Sequence, residues 1–276
     1  MLTVEQAIES IPISISKNLI SITPLNSTNN RIYKIQTDKQ SFILRLNNRY
    51  TDIFNIDRKK EIKILRNASL ARIAPEIIYE DYRKGILLTL FIEGRTWHPD
   101  DFEDQTKIRS LVKLLHSVHS LPLCGLKLNP VEVANNYILK LDTNKDSYEF
   151  SKICLSIIKN IDYSGNIRCC HNDIHPLNII QGEHLMLIDW EYAYDNDPMF
   201  EIASISSFNN LRKGTELMLL DEYFGGSGNY SMRDYLLQKK LYEAIYWLWL
   251  ACKQSNSGSI RERELLLRLK SKLLDQ

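Results

Sequence analysis

His171-Asn172-Asp173-Ile174-His175-Pro176-Leu177-Asn178 is the most informative stretch of the chain, and Leu187-Ile188-Asp189-Trp190-Glu191 follows it closely. The first stretch comes after the short run Ile167–Cys170, so its polar residues stand in a loop behind a strand. Asp189 comes eleven residues after Asn178, at the end of the apolar strand Leu185–Ile188. Two carboxylates and a carboxamide on neighbouring loops form an oxygen-rich set. Magnesium takes oxygen ligands, keeps several waters and shares phosphate oxygens, so one carboxylate and one carboxamide suffice from the protein. The other carboxylate can accept a proton from an attacking hydroxyl. The pattern predicts phosphate chemistry supported by Mg2+.

Upstream of this stretch the chain is rich in β signals. Ile32–Thr37 alternates apolar and polar residues, and Ser41–Leu46 does so after a polar turn containing Asp38. Two such runs predict a hairpin. Ile56, Ile62, Leu65 and Leu70 are spaced for a helix with one buried face. Apolar runs on either side of Tyr82–Gly85 predict a second hairpin. Residues 1–92 therefore read as an antiparallel sheet with one helix. Downstream of Gly94 the pattern turns helical. Ile108–Leu121 is periodic and stops at Pro122, Asn129 and Pro130 open a second helix, and Ser147–Ile161 is a third. Met232–Leu274 is helical with a break near Asn256–Ser259. The expected boundary lies at Phe91–Thr96, dividing a β-rich lobe, 1–92, from a mainly α lobe, 93–276. The fold class is α+β.

Composition excludes several alternatives. The 276 residues are 44% hydrophobic and 25% charged, which is globular rather than disordered or fibrous. Thirty-five basic residues against 34 acidic ones leave a net charge of +1, with no electrostatic footprint for nucleic acid. The longest apolar run, Ile86–Ile92, has seven residues and cannot span a bilayer. Glu5 and Glu9, with no early Lys or Arg, do not read as a secretory leader. The five cysteines are irregularly spaced and include no CxxC, so free thiols in a reducing cytoplasm are expected, without a zinc site.

The HND-x4-N loop followed by a strand and an Asp is similar to the catalytic and metal loops of the two-lobed protein-kinase-like fold. With Ile188–Ala193, IDWEYA, then Asp197-Pro198 and Phe200–Ser204, the chain resembles the aminoglycoside phosphotransferase and choline kinase superfamily. Within it the likeness points to bacterial thiamine kinase and choline kinase, and it runs from about Ile22 to the C-terminus. The resemblance implies that Asp173 orients and deprotonates a substrate hydroxyl. Asn178 and Asp189 would bind Mg2+ at the ATP phosphates. Arg45 would contact those phosphates, paired with Glu61 from the helix. Phe91–Glu93 would be the hinge that meets adenine. Ser27, Thr28 and Asn30 stand in the phosphate-covering turn, where the family usually has a glycine pair and this chain has Asn26 and Ser27. The implied reaction is ATP-dependent phosphorylation of a small cationic alcohol. Thiamine comes first, choline or ethanolamine is the alternative, and a nucleotide- or metabolite-binding pseudokinase is the reading of another class.

Glu191, Tyr192, Tyr194, Asp195 and Asp197 follow Asp189 and read either as a solvated turn or as a wall for a cationic substrate. His175, Trp190, Trp247 and Trp249 are candidates for that wall, because a Trp face suits a quaternary ammonium or thiazolium. His171 reads as structural. His116 and His119 lie three apart on a helix, but no third metal ligand is apparent. Cys169-Cys170 reads as alternating burial before the loop rather than as a redox pair.

Overall fold

Period-two alternation needs a partner face to bury, and the N-terminal strands find one in two short helices. The computed structural model describes residues 2–27, 30–48, 56–142, 146–161, 165–257 and 259–275. Strands β1 (Leu19–Leu25), β2 (Arg31–Thr37), β3 (Ser41–Leu46), β4 (Ile77–Asp81) and β5 (Ile86–Leu90) form an antiparallel sheet, ordered β1-β2-β3-β5-β4. Both expected hairpins are present. Ile35, Phe42, Leu44, Leu46, Ile86 and Leu88 pack on Ala7 of α1 (Val4–Ser10), on Ile11 at its C-cap, and on Ile15 of α2 (Ile13–Ser16). These two helices were not expected. A capping box starts the first: Gln6 N–H donates to Thr3 Oγ1 at 3.3 Å and Thr3 N–H to Gln6 Oε1 at 2.9 Å.

Because side chains alternate, Ile43 and Arg45 leave the opposite face of β3, with Arg45 paired across to Leu87 and Ile32. Helix α3 (Arg58–Leu70) starts at Asp57, whose carboxylate accepts Lys60 N–H at 3.0 Å. It buries Glu61, Ile62, Ile64 and Leu65. Leu70, placed on the buried face by spacing, is 84% exposed in the last turn.

The chain divides into two compact units, Met1–His98 with Pro176–Ala193, and Pro99–His175 with Tyr194–Gln276. The expected division at 92/93 differs from this in one respect that matters. Residues 176–193, including Asn178 and Asp189, group with the N-terminal unit. The reason is a second sheet, in which β6 (Arg95–Thr96) pairs with β8 (Ile179–Gln181), and β8 with β9 (Leu185–Leu187). Leu187 N–H also donates to the Ile73 carbonyl at 2.8 Å. The approach is tight: a Cβ on Gly94 would meet the Gln181 carbonyl oxygen at 2.5 Å, and one on Gly182 the Glu93 carbonyl oxygen at 2.6 Å.

The second unit is mainly helical, as expected. It contains α4 (Gln105–His119), α5 (Pro130–Ile138), α6 (Asp146–Lys159), α7 (Pro198–Phe208), α8 (Lys213–Phe224), α9 (Met232–Ser257) and α10 (Ile260–Leu274). Strands β7 (Arg168–Cys170) and β10 (Tyr194–Asn196) form an antiparallel pair. Helix α7 is capped by Asp197, opens on Pro198 and is buried along most of its circumference. All five cysteines are free and buried, including the vicinal pair in β7. Among the described residues, no helix is long and apolar enough to cross a membrane.

Candidate active site

In the first unit a buried charge network joins residues far apart in sequence. Arg45 meets Glu61 with both terminal nitrogens, at 2.5 and 2.9 Å. The pair is nearly dry, with side chains 9% and 0% exposed. Such a fork fixes direction as well as distance. A second guanidinium, Arg58 in the first turn of α3, was not singled out by sequence. Its Nη1 lies 2.8 Å from Glu61 Oε2 and 3.0 Å from Glu191 Oε2. Its Nη2 donates to Asn30 Oδ1 at 3.1 Å, and Asn30 Nδ2 donates to Glu191 Oε2 at 3.1 Å. Burial opposes ionisation of Glu61, but Arg45 and then Arg58 outweigh it and hold its carboxyl below the usual range. Burial likewise works against the Arg45 charge. Glu61, then Asp189 and Glu191, more than restore it.

Asp189 follows β9 in a left-handed conformation, φ 65°, that side chains rarely adopt. Its Oδ1 lies 3.7 Å from Arg45 Nη1, and its side chain is 37% exposed. Trp190 locks the turn beyond it by donating its indole N–H to the Leu187 carbonyl at 3.0 Å. The loops of Asn178 and Asp189 are joined where Ile188 N–H donates to the Asn178 carbonyl at 3.0 Å. Asn178 is buried, at 5% exposure. Phe91 continues the pairing of β5, its N–H donating to the Ser41 carbonyl at 3.0 Å, and Lys34 Nζ stands 3.7 Å over its ring. Glu93 and Ser27 are exposed. Thr28 lies outside the described residues.

In the second unit Asp173 is partly exposed, with Oδ2 3.7 Å from His175 Nε2. Burial, helped by the nearby His171, pulls the His175 ring down to about 4. The imidazole is therefore neutral at pH 7 and forms no ion pair with Asp173 there. It stacks on Phe208, with ring centroids 5.1 Å apart. Asn172, just before Asp173, also has a left-handed backbone, φ 62°. Its N–H donates to Glu201 Oε1 at 2.6 Å, its Nδ2 to the Cys170 carbonyl at 3.3 Å, and Asn196 Nδ2 donates to its Oδ1 at 2.6 Å. Glu201, fully buried on α7, turns its other oxygen to His119 Nε2 at 2.5 Å, and His119 Nδ1 lies 2.7 Å from Tyr223 Oη. Sequence reading missed Glu201, although it sits in the Phe200–Ser204 segment that carries the resemblance.

The same unit places aromatic rings beside Asp173. Phe208, Tyr246 and Trp249 form a run with centroids 5.6 and 5.9 Å apart, and Tyr242 stacks on Tyr246 at 5.6 Å. Burial and then the Asp173 charge push the Tyr246 phenol up to about 12. Trp249 is half-buried and carries Lys253 Nζ 4.9 Å from its ring.

Four of the expected substrate-wall residues do other work. Trp190 and Trp247 are 1% and 3% exposed. Trp247 is edge-on to Phe150 and donates to the Leu266 carbonyl at 3.2 Å, so both indoles are core. Glu191 faces Arg58 and Asn30. Asp195 accepts the Cys124 and Gly125 N–H groups at 2.8 and 2.7 Å, which makes it a loop anchor.

Residues 8–209 match the choline/ethanolamine kinase family. The chain belongs to that family. The Haemophilus influenzae protein LicA is 25% identical over 240 residues, spanning 81% of this chain and 90% of that one. The solved choline kinase LicA from Streptococcus pneumoniae superposes with a TM-score of 0.79 at 21% identity, covering 97% of this chain and 99% of its own. An ADP-bound aminoglycoside phosphotransferase, APH(2'')-Ib, gives a TM-score of 0.65 at 13% identity, covering 99% and 97%. The α+β fold is thus the kinase-like one, and the chain is a small-molecule kinase of the choline/ethanolamine type. None of these likenesses supports thiamine as acceptor. They favour the choline or ethanolamine alternative.

Proposed function

We propose that this family member transfers the γ-phosphoryl group of ATP to the hydroxyl of choline in the cytoplasm, where five free thiols stay reduced. The observation that carries the acceptor is the aromatic run Phe208–Tyr246–Trp249 beside Asp173. Aromatic faces attract a desolvated quaternary ammonium, each by about 0.5–2 kcal/mol. A carboxylate within reach of the same ammonium serves the hydroxyl two carbons away. Asp173 would orient that hydroxyl and take its proton as oxygen attacks phosphorus. One O–P bond forms to choline, the bond from γ-phosphorus to the β–γ bridging oxygen breaks, and ADP leaves. Arg45, held by Glu61, would meet the phosphates. Phe91–Glu93 would take adenine, and the 26–30 turn would cover the phosphates.

Asn178 and Asp189 would hold Mg2+, which supplies charge neutralisation at the phosphates. The donor set fits that ion. Both are oxygen donors on joined loops, and Asp189 is far more exposed than Glu61 or Glu191. Arg45 and Arg58 against Glu61, Glu191 and Asp189 leave one net negative charge in this group of side chains.

The test is ADP release with MgATP against choline, ethanolamine and thiamine in parallel. Choline turnover with the highest kcat/KM is expected. Preference for thiamine would overturn the acceptor, and no release with any of the three would overturn the reaction.

A further inference from the structure

The turn that should cover phosphates lacks the usual glycine pair, yet its last residue is firmly held. Asn30 is 6% exposed, and both ends of its carboxamide are engaged. Arg58 donates to the oxygen, and the nitrogen donates to Glu191. The same guanidinium reaches Glu61, which is the partner of Arg45. One planar side chain therefore ties the end of the turn, the residue two past Asp189 and the arginine pair into a single unit.

We propose that Arg58 and Glu191 clamp Asn30, just before β2, and Arg45 together for the phosphates of a nucleoside triphosphate. Arg58 is its central positioning residue. The proposal rests on the reading that ATP binds at Arg45. A glycine turn meets phosphate through backbone freedom. Here the end of the turn is fixed by side chains instead. Lys could not replace Arg58, because an ammonium is a point charge, and this site uses a fork facing three acceptors. Asp could not replace Asn30, because it would lose the donor to Glu191 and set two carboxylates against each other.

The test measures MgATP affinity by calorimetry for the wild type, Arg58→Lys, Arg58→Gln, Asn30→Asp and the double variant Arg58→Gln/Asn30→Asp. Thermal unfolding checks that each is folded. Loss of a charge-assisted hydrogen bond should weaken MgATP about tenfold or more in each single variant. The KM for the acceptor should stay within about twofold, which a general loss of structure would not allow. The double variant should bind little worse than the weaker single one, because contacting residues in one network are not additive. Hydrogen exchange in residues 30–32 should also quicken in Asn30→Asp without nucleotide. That conservative variant keeps the test sharp if Arg58→Gln fails to fold. Single variants that bind MgATP as the wild type does would overturn the clamp and leave the nucleotide reading standing. A folded wild type that does not bind MgATP would overturn the nucleotide reading itself, and the clamp with it.

Discussion

Glu61 and Glu201 are both fully buried carboxylates, and they keep their charge by opposite means. Glu61 sits between two guanidiniums, Arg45 and Arg58. Glu201 has an imidazole, His119, and one backbone N–H, that of Asn172. In each case burial raises the carboxyl pKa and the partners more than reverse it. The first arrangement is built of permanent charge and aims an arginine. The second passes from side chain to main chain and aims a loop, the one that carries Asp173. The difference is that the first arrangement orients a guanidinium and the second orients the backbone next to Asp173.

Breaking the first arrangement should have the larger effect. Glu61→Ala takes from two buried guanidiniums the carboxylate they share, leaving Glu191 for Arg58 and the more distant Asp189 for Arg45. Removing one partner of a buried ion pair costs about 3–5 kcal/mol, so urea unfolding should show a loss of that order. A loss below about 1 kcal/mol would mean that the arginines find other counter-charges. Glu201→Gln is milder, since it keeps an acceptor for Asn172 N–H and gives up the charge opposite His119. A loss of about 1.5–3 kcal/mol is expected. Its kinetic signature should be a fall in kcat with little change in the KM for ATP, because only the Asp173 loop is disturbed. A KM effect without a kcat effect would remove Glu201 from the loop-positioning role.

A third test sharpens the comparison through pH. Glu61 and Glu201 have depressed pKa values, so their stabilisation is present above the ordinary carboxyl value of 4.5 and is lost as pH falls through the lower folded values. His175 acts higher. Its folded value of about 4 lies below the ordinary 6.5, so the unfolded chain binds the extra proton between them. Stability should therefore decline as pH drops from 6.5 towards 4, before either glutamate contributes. Unfolding of His175→Gln at pH 7.0, 5.5 and 4.5 should show a flatter decline than the wild type over the upper half of that range. An unchanged slope would reassign the titration to another group.

How much was legible in the sequence follows from how local each signal is. The hairpin Ile32–Leu46 and the Asn129-Pro130 helix start are short-range patterns, and each is present in the fold. The capping box at Thr3 and Gln6 was equally local and went unused. Arg58 could not be found this way. Its neighbours Lys59 and Lys60 look alike in sequence, and its partners Asn30 and Glu191 lie 28 and 133 positions away. Glu191 was misplaced in a substrate wall for the same reason: its counter-charge is on a different element. Trp190 and Trp247 show a different limit, since an indole filling core and an indole lining a pocket have the same sequence signature. Grouping of 176–193 with the N-terminal unit depends on β6 pairing with β8, a contact between two- and three-residue strands too short to show periodicity.

The most direct measurement is phosphorus NMR of the wild-type chain incubated with MgATP and choline, beside Asp173→Asn. A phosphate monoester resonance growing as the γ-phosphate signal fades, and absent or slowed by several orders of magnitude in Asp173→Asn, is the expected outcome. Release of inorganic phosphate without an ester, or an ester formed equally fast by Asp173→Asn, would contradict choline phosphorylation at Asp173.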